Sequence, residues 1–219
     1  MKRAIFLGSL ALVLGLASTS ASADTIFSLS VEGCSSGCNV LPAGSVTLHQ
    51  NGTNDVTVTV MLDPAYSFRQ ANDPNHWSFV FNLANTISGV TASNINGFGQ
   101  TFSFLGANSY NDAPYGGFGY AFNCTSCTAG GNVGTTTQEL SFDLMALGLT
   151  ESSFVSNGNL FFGVDVVGLT QAAGVGLTGN VGAPGPNPPP PAVPEPSSLM
   201  LFGTGVTALG GLLRRRMTA

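Results

Sequence analysis

The stretch Asp55–Leu62 alternates without a break, with Val56, Val58, Val60 and Leu62 on one side and Thr57 and Thr59 on the other. A side-chain period of two belongs to an extended strand with one face buried and the other in solvent. Trp77–Leu83 repeats it, with Trp77, Phe79, Phe81 and Leu83 sharing a side. Weaker versions mark Thr25–Val31, Ser45–Gln50, Thr101–Leu105, Gly117–Asn123, Gln138–Leu144 and Leu160–Leu169. Asn51-Gly52, Asp73-Pro74 and Gly130-Gly131 separate them with the residue types that turns demand. Only Met145–Val155 reads as a helix in this region, with Thr150 as a cap before Glu151-Ser152-Ser153-Phe154. The pattern predicts an all-β domain, an antiparallel β-sandwich of jelly-roll-like kind, with a β-barrel as the alternative. No internal repeat supports a solenoid or propeller.

Both ends of the chain carry other instructions. Lys2 and Arg3 precede an apolar run from Ala4 to Ala17, and Ala21-Ser22-Ala23 supplies the small-x-small pattern of a signal peptidase site. The run is short for a span of about 20 residues. Residues 1–23 therefore read as a cleaved secretory signal peptide, with Ala21 and Ala23 marking the cleavage site and Asp24 opening the mature chain. At the other end, residues 183–193 alternate proline with small residues and then run through four successive prolines. Proline has no N–H to donate and fixes φ, so this stretch predicts an extended linker rising ~3.1 Å per residue. Ser197–Leu213 is apolar and uncharged. As a helix it would be roughly 25 Å long, close to the ~30 Å hydrocarbon core, and reads as a single C-terminal transmembrane helix. Arg214, Arg215 and Arg216 follow it, and a positive cluster at that place stays cytoplasmic. Residues 24–182 are then an extracytoplasmic domain of about 160 residues, long enough for a sizeable core.

Charge narrows what that domain can bind. Charged residues are 8% of the chain, and Arg69 is the one lysine or arginine between residues 4 and 213. Of the 11 acidic residues, all but Glu195 lie in residues 24–182. Such a surface repels phosphate backbones, which are held by clustered Lys and Arg, so nucleic acid is excluded as a partner.

The four cysteines form two tight groups, Cys34-Ser35-Ser36-Gly37-Cys38 and Cys124-Thr125-Ser126-Cys127. In an exported protein an even count favours disulfides, either within each group or crossed between them. A zinc site using all four is the alternative on spacing, and a redox Cys-x-x-Cys lacks its usual βαβ setting.

No catalytic signature appears. His49 and His76 are the only histidines, and both read as solvated side chains. Asp143 and Asp165 are nominal partners for glycoside hydrolysis, which needs two carboxyls about 5 to 9.5 Å apart. The ordinary explanation, an acid on a strand's outer face, is preferred, and the domain reads as non-enzymatic. No cofactor is expected, although calcium suits the oxygen-rich loops at residues 51–55, 72–75 and 108–112, whose Asn, Asp and Gly are also what turns need. Tyr110 and Tyr115, beside a glycine-rich turn, are candidates for an exposed ligand platform, while Phe118, Tyr120 and Phe122 share a strand face.

The Pro-rich linker, Val193-Pro194-Glu195-Pro196-Ser197-Ser198-Leu199, the glycine-punctuated apolar segment and the terminal arginines together resemble the PEP-CTERM sorting tail of Gram-negative bacteria. The same tail also carries the label of an ice-binding-protein C-terminal domain, but ice binding would want a regular threonine array and Thr57 with Thr59 are too few. The resemblance covers roughly the last 30 residues, with the sorting tail itself at 194–219, and implies recognition at Pro194, Glu195 and Pro196 by an exosortase. It further implies transient anchoring in the inner membrane, then release to the cell surface or matrix among exopolysaccharide and biofilm components. The leading expectation is a non-catalytic surface or matrix protein. A carbohydrate-binding module, calcium-assisted or not, is the second reading and a secreted hydrolase the third.

Overall fold

A computed structural model describes residues 23–34, 38–70, 74–128 and 137–188, together with Gly205. The signal peptide up to Ser22, the span 197–213 except Gly205, and the motif residues 194–196 and 214–216 lie outside these. Twelve strands are found among the described residues. They are β1 (Thr25–Ser28), β2 (Val31–Glu32), β3 (Gly44–Gly52), β4 (Asp55–Leu62), β5 (Tyr66–Phe68) and β6 (Phe79–Phe81). The second half adds β7 (Thr91–Asn96), β8 (Phe102–Asp112), β9 (Gly116–Cys124), β10 (Glu139–Met145), β11 (Phe162–Gly168) and β12 (Thr178–Ala183). They form two sheets, ordered β1-β3-β4-β10-β7 and β2-β12-β11-β6-β9-β8, with β5 paired to β11. Every strand pairing is antiparallel. The all-β sandwich is therefore realised.

The alternation in β4 does what its period requires. Val56, Val58 and Val60 are fully buried, while Thr57 and Thr59 meet neighbouring strands on the outer face. Facing them from the second sheet are Phe79 and Phe81 of β6, Phe122 of β9 and Phe162 of β11. Phe142 of β10 crosses the gap, its ring centroid 4.1 Å from that of Phe122 and 6.0 Å from that of Phe79. Aromatic pairs at such spacing add about 0.5–1.5 kcal/mol beyond the area they bury. A second, smaller apolar cluster of Val80, Tyr110, Phe118, Ala121 and Leu160 lies behind the second sheet. Because both its faces are covered, β11 is buried at every position and reads as an apolar run broken by Asp165 in place of an alternation.

Two expectations change. Met145–Val155 is not a helix: β10 runs through Met145, and one 3₁₀ turn, Glu151–Ser153, is all that follows. Gly148 has φ +77 and Leu147 is 84% exposed, so the helically spaced apolar residues sit on an exposed turn. The Thr150 N–H donates to Ser153 Oγ at 3.0 Å. The packed chain also continues past residue 182. Ala183 closes β12, Pro186 bridges to Phe27, and the Asn187 N–H donates to the Ile26 carbonyl at 2.6 Å. The first residues of the Pro-rich stretch thus cover the outer edge of β1, where an absent N–H costs nothing.

Among the described residues no helix is long and apolar enough to cross a membrane.

Candidate functional site

The body's single cation organises a polar cleft behind the second sheet. Val166 of β11 pairs with Phe68 of β5, which brings Arg69 beside Asp165, and Asp165 in turn pairs with Asn180 of β12. Arg69 Nη1 donates to Asp165 Oδ2 at 2.9 Å, and the carboxylate has no solvent exposure. Asp165 falls between Val164 and Val166, both in the main core, so its side chain emerges on the opposite, outer face.

The β8–β9 turn folds over this face. Tyr115 directs its hydroxyl at the carbonyls of Val31 (2.8 Å) and Asn180 (2.9 Å), while Asn180 Nδ2 donates to the Ala113 carbonyl. The Ala113 N–H donates to the Asn75 carbonyl at 2.9 Å, and the Trp77 N–H to Asp112 Oδ1 at 3.3 Å. Gly33 is required by this packing: a Cβ there would stand 2.6 Å from the Tyr115 hydroxyl oxygen.

These contacts leave a cavity of about 380 Å³ lined by Gly33, Arg69, His76, Ala113, Pro114, Thr178, Gly179 and Asn180. Three of these residues also carry a buried side-chain atom without a hydrogen-bond partner in the protein, Arg69 Nε, His76 Nδ1 and Asn180 Oδ1, each with almost no area open to the cavity. Arg69 and His76 stand out in the sequence as a lone base and one of two histidines, but Asn180 does not. The signal that finds the site is Asp165, a single charge inside an apolar run, which in a lysine-free body must meet Arg69.

Of the residues singled out from the sequence, His76, Tyr115 and Asp165 meet at this cleft, while Tyr110, Asp143 and His49 lie elsewhere. Tyr110 is a correction: it is 5% exposed, donates to the Leu105 carbonyl at 2.9 Å and packs edge-on against Trp77. Tyr115 is half-buried and holds the cleft's wall with its hydroxyl, so the two do not make an exposed platform. Burial raises the Tyr115 hydroxyl well above its ordinary value, and the charges of Asp112 and Glu32 add to this.

Asp143 and Asp165 lie on different sheets, on their outward faces. Facing sheets are separated by about 10 Å, so the two carboxyls exceed the spacing of a glycosidase pair. Asp143 accepts instead from Thr57 Oγ1 and from Asn94 Nδ2. His49 pairs with Asp24 at 2.7 Å in solvent.

Cys34 bridges to Cys38 and Cys124 to Cys127, with Cα separations of 5.6 and 5.5 Å. Each pair closes its own loop, and sulfurs so bonded supply none of the thiolates a zinc site needs. Among the described residues no group of three or more His, Cys, Asp or Glu converges to hold a metal. In the 51–55 loop, Asn51 Nδ2 donates to Asp55 Oδ1 and Thr57 Oγ1, and Asn111 Nδ2 donates to Asn75 Oδ1, which is turn chemistry.

The outer face of the five-stranded sheet is the other polar surface. Thr47, Thr59 and Ser141 stand in one register row, and His49, Thr57 and Asp143 in the next.

Sandwich, local disulfides and polar cleft define a small β domain with polar surfaces on both outer faces. Its tail specifies more: residues 192–216 match the family described as the PEP-CTERM protein-sorting motif. The chain therefore carries an export-and-sorting signal whose partner is an exosortase, and Pro194, Glu195, Pro196 and Arg214–Arg216 all fall within the match. No curated protein and no solved structure matches the chain.

Proposed function

We propose that this is a non-catalytic cell-surface or extracellular-matrix protein of a Gram-negative bacterium. Its N-terminal signal peptide exports it, its tail holds it in the inner membrane until processing, and its jelly-roll-like β-sandwich is then retained among exopolysaccharide. One observation carries this reading. The sorting motif at 192–216 is joined to a domain whose outer face presents Thr47, Thr59 and Ser141 in one row and His49, Thr57 and Asp143 in the next. Short hydroxyl and carboxylate side chains on a rigid sheet can exchange hydrogen bonds with a hydrated polymer without large ordering cost.

A carbohydrate-binding module is the second reading, and the cleft at Arg69, His76 and Asn180 favours it.

The test replaces Pro194-Glu195-Pro196 by three alanines in the native host, followed by fractionation of membrane, surface and matrix. Accumulation of the longer form in the membrane, with loss from the matrix, is expected. Unchanged size and distribution would remove the sorting reading.

A further inference from the structure

We propose that Asn51-Gly52, at the tip of the β3–β4 hairpin, is a self-modifying site. Asn51 closes onto Gly52 and is converted to aspartate or isoaspartate, which puts a new carboxylate on the outer face of the five-stranded sheet. The site goes beyond the sorting and matrix reading and does not depend on it.

The step consumes only water. The Gly52 backbone nitrogen, once its proton has passed to solvent base, attacks the side-chain carbonyl carbon of Asn51. A new N–C bond closes a five-membered succinimide, the bond from that carbon to Nδ2 breaks, and the nitrogen takes a proton and leaves as ammonia. Water then adds to one of the two ring carbonyls and breaks its bond to nitrogen, giving aspartate from one side and isoaspartate from the other. Nothing is oxidised or reduced. Glycine suits the second place because it has no Cβ to crowd the attacking nitrogen or to restrict its backbone.

Three Asn-Gly pairs occur in the chain, and the fold separates them. Gly97 is buried, and a Cβ there would stand 2.4 Å from the Gln100 carbonyl oxygen, so the backbone that must rotate is tightly packed. Asn96 also spends its side-chain oxygen on the Phe98 N–H at 3.0 Å. Asn157 is pinned at both ends of its amide. Its Nδ2 donates to the Tyr115 carbonyl at 2.8 Å, and its Oδ1 accepts the N–H groups of Asn159 and Leu160 at 3.2 and 3.0 Å.

At Asn51 these restraints are missing. The ladder passes from Gln50↔Val56 to Gly52↔Asp55, so Asn51 is the extra residue of a bulge and has no residue opposite it. Asn51 and Gly52 are both exposed, and a Cβ on Gly52 would meet nothing within 4 Å. The Asn51 side chain donates through Nδ2, and its carbonyl oxygen accepts no hydrogen bond among the described residues.

The product changes the face that carries it. Asn51 Nδ2 donates to Thr57 Oγ1 at 2.7 Å, Thr57 donates to Asp143 Oδ1, and Asn94 Nδ2 donates to Asp143 Oδ2. The Thr57 proton is committed to Asp143, so its oxygen can only accept, and a carboxylate at 51 has no hydrogen to give it. That carboxylate would also stand beside Asp55, whose Oδ1 receives Asn51 Nδ2 at 3.3 Å, and like charges so close repel. Conversion therefore breaks the chain of hydrogen bonds at its donor end and loosens the hairpin.

The experiment ages the purified full chain in detergent at mildly alkaline pH, folded and in urea. Peptide mass mapping, with enzymatic methyl labelling of isoaspartate, follows Asn51, Asn96 and Asn157. In the folded protein Asn51 should convert at least roughly tenfold faster than the other two, whose retained hydrogen bonds raise the barrier, and in urea the three rates should converge. Gly52→Ala, for which the fold has room, should slow conversion at 51 roughly tenfold and leave Tm unchanged. Asn51→Asp should show the faster amide exchange at the hairpin that the aged protein shows. An Asn51 that keeps its amide in the folded chain over the time in which the urea-unfolded chain converts overturns the proposal. So does conversion led by Asn96 or Asn157, or an unchanged rate in Gly52→Ala. Hairpin exchange in Asn51→Asp equal to that of the unaged protein would remove the effect on the sheet. The comparison of three sites within one wild-type chain stands whether or not a variant folds.

Discussion

Arg69 holds Asp165 at 2.9 Å, so the one arginine of a lysine-free domain neutralises a carboxylate that no solvent reaches. Two charges removed from water are stable only as a pair, and removing one leaves the other uncompensated. Arg69→Met should therefore destabilise by about 3–5 kcal/mol, and Asp165→Leu by a comparable amount. The double replacement Arg69→Met with Asp165→Leu should recover most of that loss. Urea unfolding of the four proteins gives the cycle, and additive single losses would mean that the two residues are not coupled.

All four tyrosines have hydroxyls raised above their ordinary value, and burial is the leading cause for each. The unfolded chain releases these protons near pH 10 while the folded one keeps them. Stability is thus complete below about pH 10 and falls as pH climbs through the higher folded values. Absorbance at 295 nm should stay flat until unfolding begins and then rise with it. Early ionisation of all four tyrosines in a still-folded protein would contradict this. Tyr115→Phe should flatten the slope, since Tyr115 is shifted most strongly.

Legibility in the sequence followed burial on one face or two. β4 matches its predicted bounds because Val56, Val58, Val60 and Leu62 face a core and their neighbours do not. β7 escaped notice: Thr91–Asn96 is a polar edge strand with no position fully buried, so it has no apolar face to alternate. β12 was hidden for the opposite reason, since Thr178–Ala183 is glycine-rich and covered on both sides. The cleft was illegible because Arg69 and Asn180 are far apart in sequence and meet only through the β5-β11-β12 pairing. Period carries strand identity, but it carries nothing about which strands become neighbours.

Cys124 and Cys127 are 0% and 4% exposed and close a loop of sequence separation 3, while Cys34 and Cys38 close one of separation 4. Chain entropy assigns loops this short ~2 kcal/mol each. At roughly 2–4 °C per kcal/mol for a domain of this size, full reduction should lower Tm by about 8–16 °C. Calorimetry with and without reductant measures it. Cys124→Ala with Cys127→Ala should account for about half, and a Tm indifferent to complete reduction would show that neither staple matters to the fold.

The sandwich needs residues beyond 182. Ala183 accepts the Phe161 N–H at 2.9 Å, Asn187 donates its N–H to Ile26, and Ser28 Oγ donates to Asn187 Oδ1 at 3.2 Å. β1 has β3 on one side and this segment on the other, so cutting after 182 exposes an unpaired edge next to the aromatic contact of Phe27 with Phe162 at 4.8 Å. Each hydrogen bond contributes about 1 kcal/mol net, which puts the loss at roughly 2–3 kcal/mol relative to a chain ending at 188. Denaturant midpoints of exported chains ending at 182 and at 188 decide it. Amide exchange should localise the difference to Thr25–Ser28 and leave β11 protected, because β11 draws its partners from β5, β6 and β12 within the second sheet. Equal midpoints and equal protection of β1 would place the boundary of the folded domain at 182 after all.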